Sequence, residues 1–317
     1  MKLIVQIPAY NEERTIGKLI KEIPRNIEKI DKVEVLLMDD CSVDHTIEVA
    51  KDAGADYTFR NKQNLGLGRN FKKAIETSLK YGADIIVNID GDGQFNPKEI
   101  PKLILPILKE DADMVTCTRF LNTKLTKNMP WIKKFGNRRF TNLISRITGQ
   151  KFTDTQCGFR AYSREAALRL NLQGKFTYTQ EAFIDLVEKG MRIKEIPLEV
   201  NYFKERKSVI SNKIIRYTFK SLGIIARATR DIQPLTFFAL PGIIIFLIGF
   251  LGIGYSFWYW LTHLMTTPIR MLFNVSSYFV IFGMFLFVLG LLADMLKRMK
   301  NNQEDILYRL KKKEFEK

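Results

Sequence analysis

Two long stretches without charge near the C-terminus constrain this chain most strongly. No Asp, Glu, Lys or Arg occurs from Ile232 to Ile269, and a single arginine interrupts the pattern before Asp294. Leu235–Leu261 and Met271–Ala293 are continuous apolar runs within it. At 1.5 Å per residue, a helix of about 23 residues spans the roughly 30 Å hydrocarbon core of a bilayer. We therefore predict two transmembrane helices rather than two buried helices of a soluble protein.

The charged residues that flank these runs predict how the chain lies in the membrane. The net charge is +16, and the segment Lys204–Asp231 holds eight Lys or Arg residues. The residues after the second run are also basic, whereas the connection Thr262–Arg270 carries one Arg. Because positive residues stay on the cytoplasmic side, we predict an integral protein of the cell membrane with both termini and the catalytic part in the cytoplasm. The transmembrane pair falls within residues 233–296, and a basic cytoplasmic tail follows at 297–317.

Residues 211–232 have the pattern of helices that lie on a membrane surface. Apolar residues such as Ile214, Ile215 and Phe219 recur at helical spacing among Lys213 and Arg216. Such a segment predicts one or two amphipathic helices at the headgroups, where basic residues attract anionic lipid. This accounts for much of the positive charge. No zinc knuckle or recognition-helix pattern indicates a nucleic-acid partner.

Three glycines in the first predicted span bear on assembly. Gly249, Gly252 and Gly254 would permit another helix to approach closely, as in a homo-oligomer. Glycines that simply face lipid would give the same pattern.

Residues 1–210 alternate between strand-like and helical segments. The strand-like runs are apolar throughout: Leu3–Pro8, Val33–Met38, Ile85–Ile89 and Met114–Thr118. The segments with helical spacing are Glu12–Ile30, Val43–Ala53, Gly68–Tyr81 and Pro97–Lys109. This alternation predicts an α/β catalytic domain with a Rossmann-like, mostly parallel sheet covered on both faces. Ligands bind such sheets beyond the carboxyl ends of the strands.

The motif Asp90-Gly91-Asp92-Gly93-Gln94 directly follows one predicted strand. Two carboxylates separated by one glycine can turn toward the same cation, and the Gln94 amide oxygen could be a further ligand. Three cysteines without paired spacing and two histidines argue against a zinc site with thiolate ligands. Oxygen ligands suit Mg²⁺ or Mn²⁺, which would bridge the phosphates of a nucleotide. We predict one of these two ions as cofactor.

A second acidic pair, Asp39-Asp40, follows the second predicted strand. One of these carboxylates could accept hydrogen bonds from uracil or guanine, or both could serve to cap the next helix. The segment Asn64–Arg69 has two glycines but lacks the third glycine of a dinucleotide fingerprint. NAD binding is therefore not expected.

Taken in order, these motifs resemble a known family. Ile7-Pro8-Ala9-Tyr10-Asn11-Glu12-Glu13, Met38-Asp39-Asp40-Cys41-Ser42-Val43-Asp44 and the Asp90–Gln94 motif are similar to those of GT-A glycosyltransferases of family 2. Asp154-Thr155-Gln156-Cys157-Gly158-Phe159-Arg160 and the two spans narrow the resemblance to polyprenyl-phosphate glycosyltransferases of the dolichyl-phosphate mannose synthase type. The resemblance implies inverting transfer of a hexose from GDP-mannose or a UDP-hexose to polyprenyl or dolichyl phosphate.

The resemblance also implies roles for individual residues. The nucleotide would be bound by Pro8, Tyr10, Glu12, Asp39 or Asp40, Asp90 and Gly91. The metal on the donor diphosphate would be held by Asp90, Asp92 and Gln94. The acceptor phosphate would be bound by residues from Lys133, Lys134, Arg138, Arg206, Lys207 and Ser208. Lysine stands where the family has arginine in the first of these basic segments, so the choice among them stays open. Catalytic roles would fall to Asp90, Asp92, Arg119, Arg206 and Glu181, although Glu181 could equally be an ordinary acid at a helix start.

Two other functions fit parts of the pattern. A processive membrane polysaccharide synthase shares the fold, but such enzymes usually carry a Gln-x-x-Arg-Trp signature and more spans. A catalytically silent membrane scaffold would keep the fold without turnover. Metal-dependent binding of a nucleotide sugar would separate the enzyme from the scaffold.

Overall fold

The computed structural model describes residues 1–121, 131–172, 178–198, 200, 230 and 233–315, and the side chains of 131–133 are not described. The described residues form two compact units. One lies within Met1–Lys207 together with Tyr308–Lys317, and the second lies within Ser208–Leu307. The predicted surface helices at 211–232 fall almost wholly outside the described residues.

The first unit is built on a seven-stranded mixed sheet. Its strands are β1 (Lys2–Ala9), β2 (Lys32–Asp39), β3 (Tyr57–Arg60), β4 (Ile85–Asn88), β5 (Met114–Thr118), β6 (Arg160–Ser163) and β7 (Ile193–Pro197). Their order across the sheet is β3-β2-β1-β4-β6-β5-β7. β6 is antiparallel to both of its neighbours, and the remaining pairs are parallel. The predicted mostly parallel α/β sheet is confirmed.

Helices connect these strands along the chain. They are α1 (Ile16–Glu22), α2 (Thr46–Asp52), α3 (Leu67–Lys80), α4 (Ile100–Leu108), α5 (Trp131–Thr148), α6 (Arg164–Arg169) and α7 (Tyr178–Glu188). A short 3₁₀ turn, Pro97–Glu99, precedes α4. Two apolar layers cover the sheet. One includes Leu3, Val5 and Ile7 with α1 and α4. The second includes Ile4 and Leu36 with α3 and α7.

The predicted helix Glu12–Ile30 is much shorter in the structure. α1 starts only at Ile16, because Glu12–Thr15 form a turn in which the Thr15 and Ile16 amides donate to the Glu12 carbonyl at 3.0 Å. It ends at Glu22 because Pro24 forces Ile23 into extended backbone, with ψ at 122°. The four apolar strand predictions match β1, β2, β4 and β5 to within one residue at either end.

The second unit contains two long helices, α8 (Pro234–His263) and α9, whose residues Arg270–Leu307 belong to this unit. Both helices are long and apolar enough to cross a membrane. They pack closely at small residues. A Cβ on Gly242 would lie 2.8 Å from the Gly283 carbonyl oxygen, and one on Gly249 would lie 2.6 Å from that of Ser276. The paired positions run in opposite directions, so the two helices form an antiparallel hairpin.

The three glycines that sequence analysis related to assembly divide between two environments. Gly249 and Gly252 both face Ser276 of the same chain, whereas no atom of the described structure lies within 4 Å of a Cβ placed on Gly254. Two of the three therefore serve the hairpin itself.

Helix α9 extends through the predicted basic tail as far as Phe315. Its last turns, Tyr308–Phe315, belong to the first unit. The Tyr308 hydroxyl donates to Glu165 at 3.0 Å, and the Arg169 guanidinium lies 4.3 Å from the Tyr308 ring centre. Lys311 donates to the Leu170 carbonyl at 3.1 Å. The last turns of this segment are thus a helix packed on α6.

Candidate active site

The predicted site residues meet at one edge of the sheet. Ala9 is paired with Asp39 and Asp39 with Arg60, so β1, β2 and β3 end together. Gln6 of β1 pairs with Asn88, the last residue of β4. Parallel pairing therefore brings the segments after β1, β2, β3 and β4 to the same side, as expected of a ligand site in an α/β sheet.

Hydrogen bonds fix the loop after β1 against the loop after β2. The Asn11 amide donates to Ser42 Oγ and the Glu12 amide to Thr46 Oγ1, each at 2.9 Å. In return, the amide of Val43 donates to Asn11 Oδ1 at 2.9 Å. These contacts hold the loop that carries Tyr10 and Glu12 in one conformation.

A cleft of about 370 Å³ opens at this edge. It is lined by Pro8, Ala9, Tyr10, Glu12, Asp40, Asn64, Gly66, Leu67, Asn70, Asp90, Gly91 and Asp92. Three motifs that are far apart in the sequence thus share one cavity. Asp39, Gln94 and Arg119 are not among the described residues that line it.

Asp90 and Asp92 are two neighbouring carboxylates of the cleft lining. Asp90 Oδ1 is buried and has no hydrogen-bond partner among the described residues. Burial and, secondly, the neighbouring Asp92 carboxylate raise the pKa of Asp90 to about 7. Asp92 Oδ1 accepts a hydrogen bond from the backbone amide of Gln94 at 3.0 Å, and this bond closes the turn after Asp90. An orphaned buried oxygen beside a second carboxylate is the arrangement that a hard divalent cation would satisfy.

The donor set for such a cation is small. No group of three or more His, Cys, Asp or Glu side chains converges among the described residues. The carboxylates of Asp90 and Asp92, with the side-chain amide oxygen of Gln94, would therefore supply only part of a coordination shell. Mg²⁺ usually takes one or two carboxylates and completes its shell with water and substrate phosphates, so these residues fit the predicted ion.

A buried network of polar groups surrounds Asp90. Asn88 donates to the Gly158 carbonyl at 2.8 Å and to the Tyr178 hydroxyl at 3.0 Å. Arg160 is fully buried and donates to the Cys157 carbonyl at 2.8 Å, and its positive charge opposes the rise in the pKa of Asp90. Gly158 lies so close that a Cβ there would be 2.3 Å from Asp90 Oδ2.

The structure separates the two acids of the Asp39-Asp40 pair. Asp39 is fully buried and accepts hydrogen bonds from the Ser42 amide, at 3.0 Å, and from the Ser42 hydroxyl. Its carboxylate therefore holds the loop that precedes α2. Asp40 instead lines the cleft and is 4% exposed. Of the two acids, Asp40 is thus the one that lines the cleft, while the described contacts of Asp39 are with Ser42 and Arg60.

Arg119, just after β5, is held by Asp154. Arg119 Nε lies 2.6 Å from Asp154 Oδ2, and its terminal nitrogen lies 2.9 Å from Oδ1. Asp154 also accepts from the Asn137 side chain at 3.0 Å. The Glu195 carboxylate accepts the amides of Thr153 and Asp154, each at 2.8 Å. This chain of contacts fixes the orientation of the guanidinium, whose Nε and one terminal nitrogen are held by Asp154.

The predicted acceptor residues are only partly described. Lys134 and Arg138 lie on α5, where Arg138 is exposed. Lys133 is on the same helix, but its side chain is not described, and Arg206, Lys207 and Ser208 lie outside the described residues. Glu181 lies in the first turn of α7 and is not among the described residues that line the cleft.

Sequence analysis did not assign a role to Asn64, Leu67, Asn70 or Asp154 in the site. Asn64 and Asn70 belong to the segment after β3, a short strand without an apolar run, so the strand end was not recognised. The sequence Asn64-Leu65-Gly66, which is typical of a turn, was the one signal of a strand end nearby. Asp154 was noted only as part of a family motif, since its partner Arg119 lies 35 residues away in sequence.

Comparison with known families decides the class of protein. The model of glycosyl transferase family 2 matches residues 4–170, more than half of the chain. The chain belongs to glycosyl transferase family 2. It is a glycosyltransferase, and the matched region contains every described residue that lines the cleft.

Two curated relatives extend the comparison. A UDP-N-acetylglucosamine–dolichyl-phosphate N-acetylglucosaminyltransferase of Methanococcus voltae is 31% identical over 215 residues, covering 62% of this chain and 84% of that protein. Glycosyltransferase AglJ of Haloferax volcanii is 26% identical over 302 residues, covering 93% of this chain and 94% of its own length. The second similarity runs through both apolar helices.

A solved structure supports the fold. Glucosyl-3-phosphoglycerate synthase of Mycobacterium tuberculosis, in complex with Mn²⁺, UDP and phosphoglyceric acid, superposes with a TM-score of 0.53 and 22% identity. The similarity covers 72% of this chain and 77% of that one. The family 2 domain therefore has the GT-A fold that sequence analysis predicted.

Proposed function

We propose that this glycosyltransferase moves a hexose from a nucleotide sugar, GDP-mannose or a UDP-hexose, to a polyprenyl or dolichyl phosphate with inversion at the anomeric carbon. The product would be a lipid-linked sugar donor for glycosylation. The observation that carries the proposal is the shared cleft, which Tyr10 and Asp40 line together with Asp90 and Asp92. The dolichyl-phosphate acceptor of the Methanococcus voltae relative supports the choice of acceptor.

The reaction needs positioning more than proton transfer. A lipid phosphate is already ionised near neutral pH, so its oxygen can form the new bond to the anomeric carbon while the bond to the nucleoside diphosphate breaks. Holding the two reactants in line supplies much of the rate enhancement. In our proposal Glu12 and Asp40 hold the nucleotide end, and Arg119, oriented by Asp154, stabilises the departing diphosphate.

Asp90 and Asp92, with Gln94, would hold Mg²⁺ or Mn²⁺ against the donor diphosphate. When bound, the ion supplies positive charge to the leaving group. The network of Asn88, Gly158 and Tyr178 keeps the Asp90 carboxylate in place. Lys133, Lys134, Arg138, Arg206, Lys207 and Ser208 are proposed to provide the acceptor-phosphate site.

We further propose that α8 and α9 anchor the enzyme as a transmembrane hairpin, with both termini and the catalytic unit in the cytoplasm. The apolar length of both helices and the basic residues outside them support this orientation. A cysteine introduced at Thr266 should react with an impermeant thiol reagent added to intact cells, whereas one at Gln303 should react only after lysis. The opposite labelling pattern would overturn the orientation.

The function is tested with the full-length chain in detergent. The protein is incubated with Mn²⁺ or Mg²⁺, a polyprenyl phosphate and each of a panel of UDP- and GDP-sugars, and the glycolipid is sought by mass spectrometry. We expect product from one class of donor. Metal-dependent nucleotide binding without any glycolipid, across acceptors of several lengths, would contradict the proposed acceptor.

The role of Asp92 is tested in the same assay. Asp92→Ala should lower turnover by about 100-fold or more, because it removes a proposed ligand of the ion that stabilises the leaving group. Asp52→Ala, an exposed acid on α2, should leave turnover unchanged. Near-normal turnover of a folded Asp92→Ala protein would exclude Asp92 as a metal ligand.

A further inference from the structure

We propose that the outward face of helix α5 docks on the surface of a bilayer that contains anionic phospholipid. This face consists of Phe135, Arg138, Arg139, Asn142 and Arg146. The inference rests on the proposed anchoring of the chain by α8 and α9, and it goes beyond it because it concerns a surface of the catalytic unit. Of these residues only Arg138 belongs to the proposed acceptor-phosphate site, so the test below uses Arg139 and Arg146.

The positive charge of the catalytic unit is concentrated in one part of the chain. Between Asp113 and Asp154, forty consecutive residues include nine Lys or Arg and no Asp or Glu. Residues 1–113, in contrast, hold seventeen basic and twenty acidic residues. Helix α5 lies wholly within the stretch that has no acid. A helix of this composition attracts a negatively charged surface.

The five positions of the outward face lie on one side of α5. They recur at intervals of three and four residues, and all of them are exposed. The opposite side, which includes Asn137, Thr141 and Ile144, is buried. Phe135 is 56% exposed, and the Arg139 guanidinium carbon lies 5.1 Å from the centre of its ring. An exposed aromatic ring among basic side chains is typical of helices that lie at the level of lipid headgroups.

The acids of the neighbouring helix leave an excess of positive charge. α7 packs against α5 and carries Glu181, Asp185 and Glu188. Asp185 is paired with Lys189 at 2.7 Å, and of the three acids only Glu188 is exposed. α5 has three exposed arginines and no acid. The exposed part of this pair of helices is therefore basic.

The length of the basic face favours a surface over a single phosphate group. From Lys134 to Arg146 the helix rises about 18 Å, so one phosphate cannot contact all the basic side chains along it. A bilayer with anionic lipid presents many phosphates in one plane. A polynucleotide also presents many phosphates, but the proposed transmembrane hairpin would keep the catalytic unit beside a bilayer. The exposed ring of Phe135 also suits the boundary between headgroups and acyl chains.

The test uses the full-length chain in nanodiscs of phosphatidylcholine, with or without phosphatidylglycerol. Cys41→Ser removes the cysteine that is partly exposed, and Asn142→Cys then carries a fluorophore on the outward face. Lipids with a nitroxide at the headgroup quench a fluorophore that lies close to the bilayer. We expect quenching at position 142 when phosphatidylglycerol is present, and its loss at high salt because salt screens surface charge. No quenching at position 142 in the anionic nanodiscs would overturn the inference.

Two further labelled positions make this result specific. Leu105→Cys carries the fluorophore on α4, which packs in the other layer of the sheet, and it should not be quenched. Equal quenching at positions 105 and 142 would overturn the docking of this particular face. Leu251→Cys, on α8, should be quenched by a nitroxide on the acyl chains in both kinds of nanodisc. Quenching at 251 without quenching at 142 would overturn this inference and leave the anchoring intact. No quenching at 251 would contradict the anchoring, and this inference with it.

Charge variants test the role of the two arginines. Arg139→Gln combined with Arg146→Gln should lower the ratio of docked to undocked protein by about 30-fold, since each basic residue near an anionic surface contributes about fivefold. Arg139→Lys with Arg146→Lys keeps the charge and should keep the quenching. Lys102→Gln with Lys109→Gln removes the same charge from exposed positions at α4 and should have no effect. Unchanged quenching in the Arg139→Gln, Arg146→Gln protein would overturn the role of these arginines.

Discussion

At the scale of single residues, the position of the Asp90 carboxylate depends on the absence of a side chain at position 158. A Cβ on Gly158 would lie 2.3 Å from Asp90 Oδ2 and 3.0 Å from its carboxyl carbon. We predict that Gly158→Ala displaces Asp90 and weakens Mn²⁺ binding by about 10- to 100-fold, since misplacing a group by about 1 Å can cost a factor of 100. Titration of Mn²⁺ into the purified protein, with UDP present, measures this effect.

Gly254→Ala provides the matched control for that prediction. It makes the same chemical change at a position where no described atom lies within 4 Å of the added methyl group. This variant should bind Mn²⁺ as the unmodified protein does. Equal affinities for all three proteins would show that Asp90 tolerates the displacement.

The raised pKa of Asp90 predicts how metal binding depends on pH. Because burial and Asp92 raise this pKa to about 7, from an ordinary value of 3.8, the metal-free carboxyl holds a proton below pH 7 that Mn²⁺ must displace. The affinity for Mn²⁺ should fall about tenfold per pH unit below 7 and level off above it. Calorimetric titrations between pH 5.5 and 8.5 measure this profile, and Asp90→Asn should remove its lower limb. A flat profile in the unmodified protein would contradict the assignment.

The same shift has a defined sign for folding stability. Between pH 3.8 and about 7 the folded, metal-free chain holds a proton at Asp90 that the unfolded chain releases. Stability therefore decreases with rising pH wherever the folded state binds more protons. The buried carboxyl therefore lowers the free energy of unfolding of the metal-free chain at neutral pH and not at low pH. A bound cation would offset this loss of stability at neutral pH.

At the scale of elements, the arginine that follows β5 is oriented by two other segments of the chain. Asp154 accepts two hydrogen bonds from the Arg119 guanidinium, and Glu195 of β7 accepts the backbone amide of Asp154. We predict that Asp154→Asn lowers kcat by about 10- to 100-fold with little change in nucleotide affinity, because Arg119 would lose its orientation toward the leaving group. Steady-state kinetics and UDP binding measured on the same preparation separate these two quantities.

The opposite end of the same strand offers a matched control. Asp113, just before β5, also holds an arginine with two contacts, since both Arg192 Nε and its terminal nitrogen lie 3.1 Å from the carboxylate oxygens. Arg192 is exposed, and solvent screens ion pairs of this kind, so that they contribute little to stability. Asp113→Asn should therefore leave kcat unchanged. A similar loss of kcat in both variants would indicate a general effect on the sheet rather than on Arg119.

The position of a strand could be predicted where its own residues form an apolar run, and not where the strand depends on contacts with residues distant in the sequence. β1, β2, β4 and β5 are uninterrupted apolar runs because helices cover both faces of the sheet, and their positions were predicted closely. β6 was missed because Arg160 begins it, and this buried arginine finds its partners in backbone carbonyls and the Phe183 ring. β3 was missed because it is four residues long and only partly buried. No pattern along the sequence reports such contacts.

The site shows the same division. The acids after β2 and β4 were identified from the sequence because they follow recognisable strands. The sequence could not show which of Asp39 and Asp40 lines the cleft, since this depends on which carboxylate accepts the Ser42 amide and which accepts the Leu65 and Gly66 amides. The contacts that orient Arg119 could not be predicted either, because Asp154, which binds the guanidinium, and Glu195, which binds Asp154, are distant from it in the sequence.

At the scale of the whole molecule, the chain returns to its catalytic unit after the apolar helices. Tyr308 and Phe315 pack against the apolar layer that contains α3 and α7, and Arg164 donates to the Phe315 carbonyl at 2.6 Å. Burial lowers the pKa of Lys311, which donates to the Leu170 carbonyl. The tail was predicted from composition as a basic cytoplasmic segment, and its charge hid the apolar face that the structure reveals.

These contacts predict that the C-terminal segment stabilises the catalytic unit without taking part in the reaction. Ending the chain after Leu307 removes the Tyr308 and Lys311 hydrogen bonds and the half-buried Phe315 ring, together worth about 2–3 kcal/mol. Since 1 kcal/mol shifts the melting temperature of a unit of this size by about 2–4 °C, we expect a decrease of about 5–10 °C. UDP affinity at 20 °C should be unchanged, and Tyr308→Phe, which loses only the bond to Glu165, should melt between the two proteins. The measurement is residual UDP binding after heating in detergent. An unchanged melting temperature would mean that the segment does not hold α6 in solution, and a loss of UDP affinity at 20 °C would mean that it also shapes the cleft.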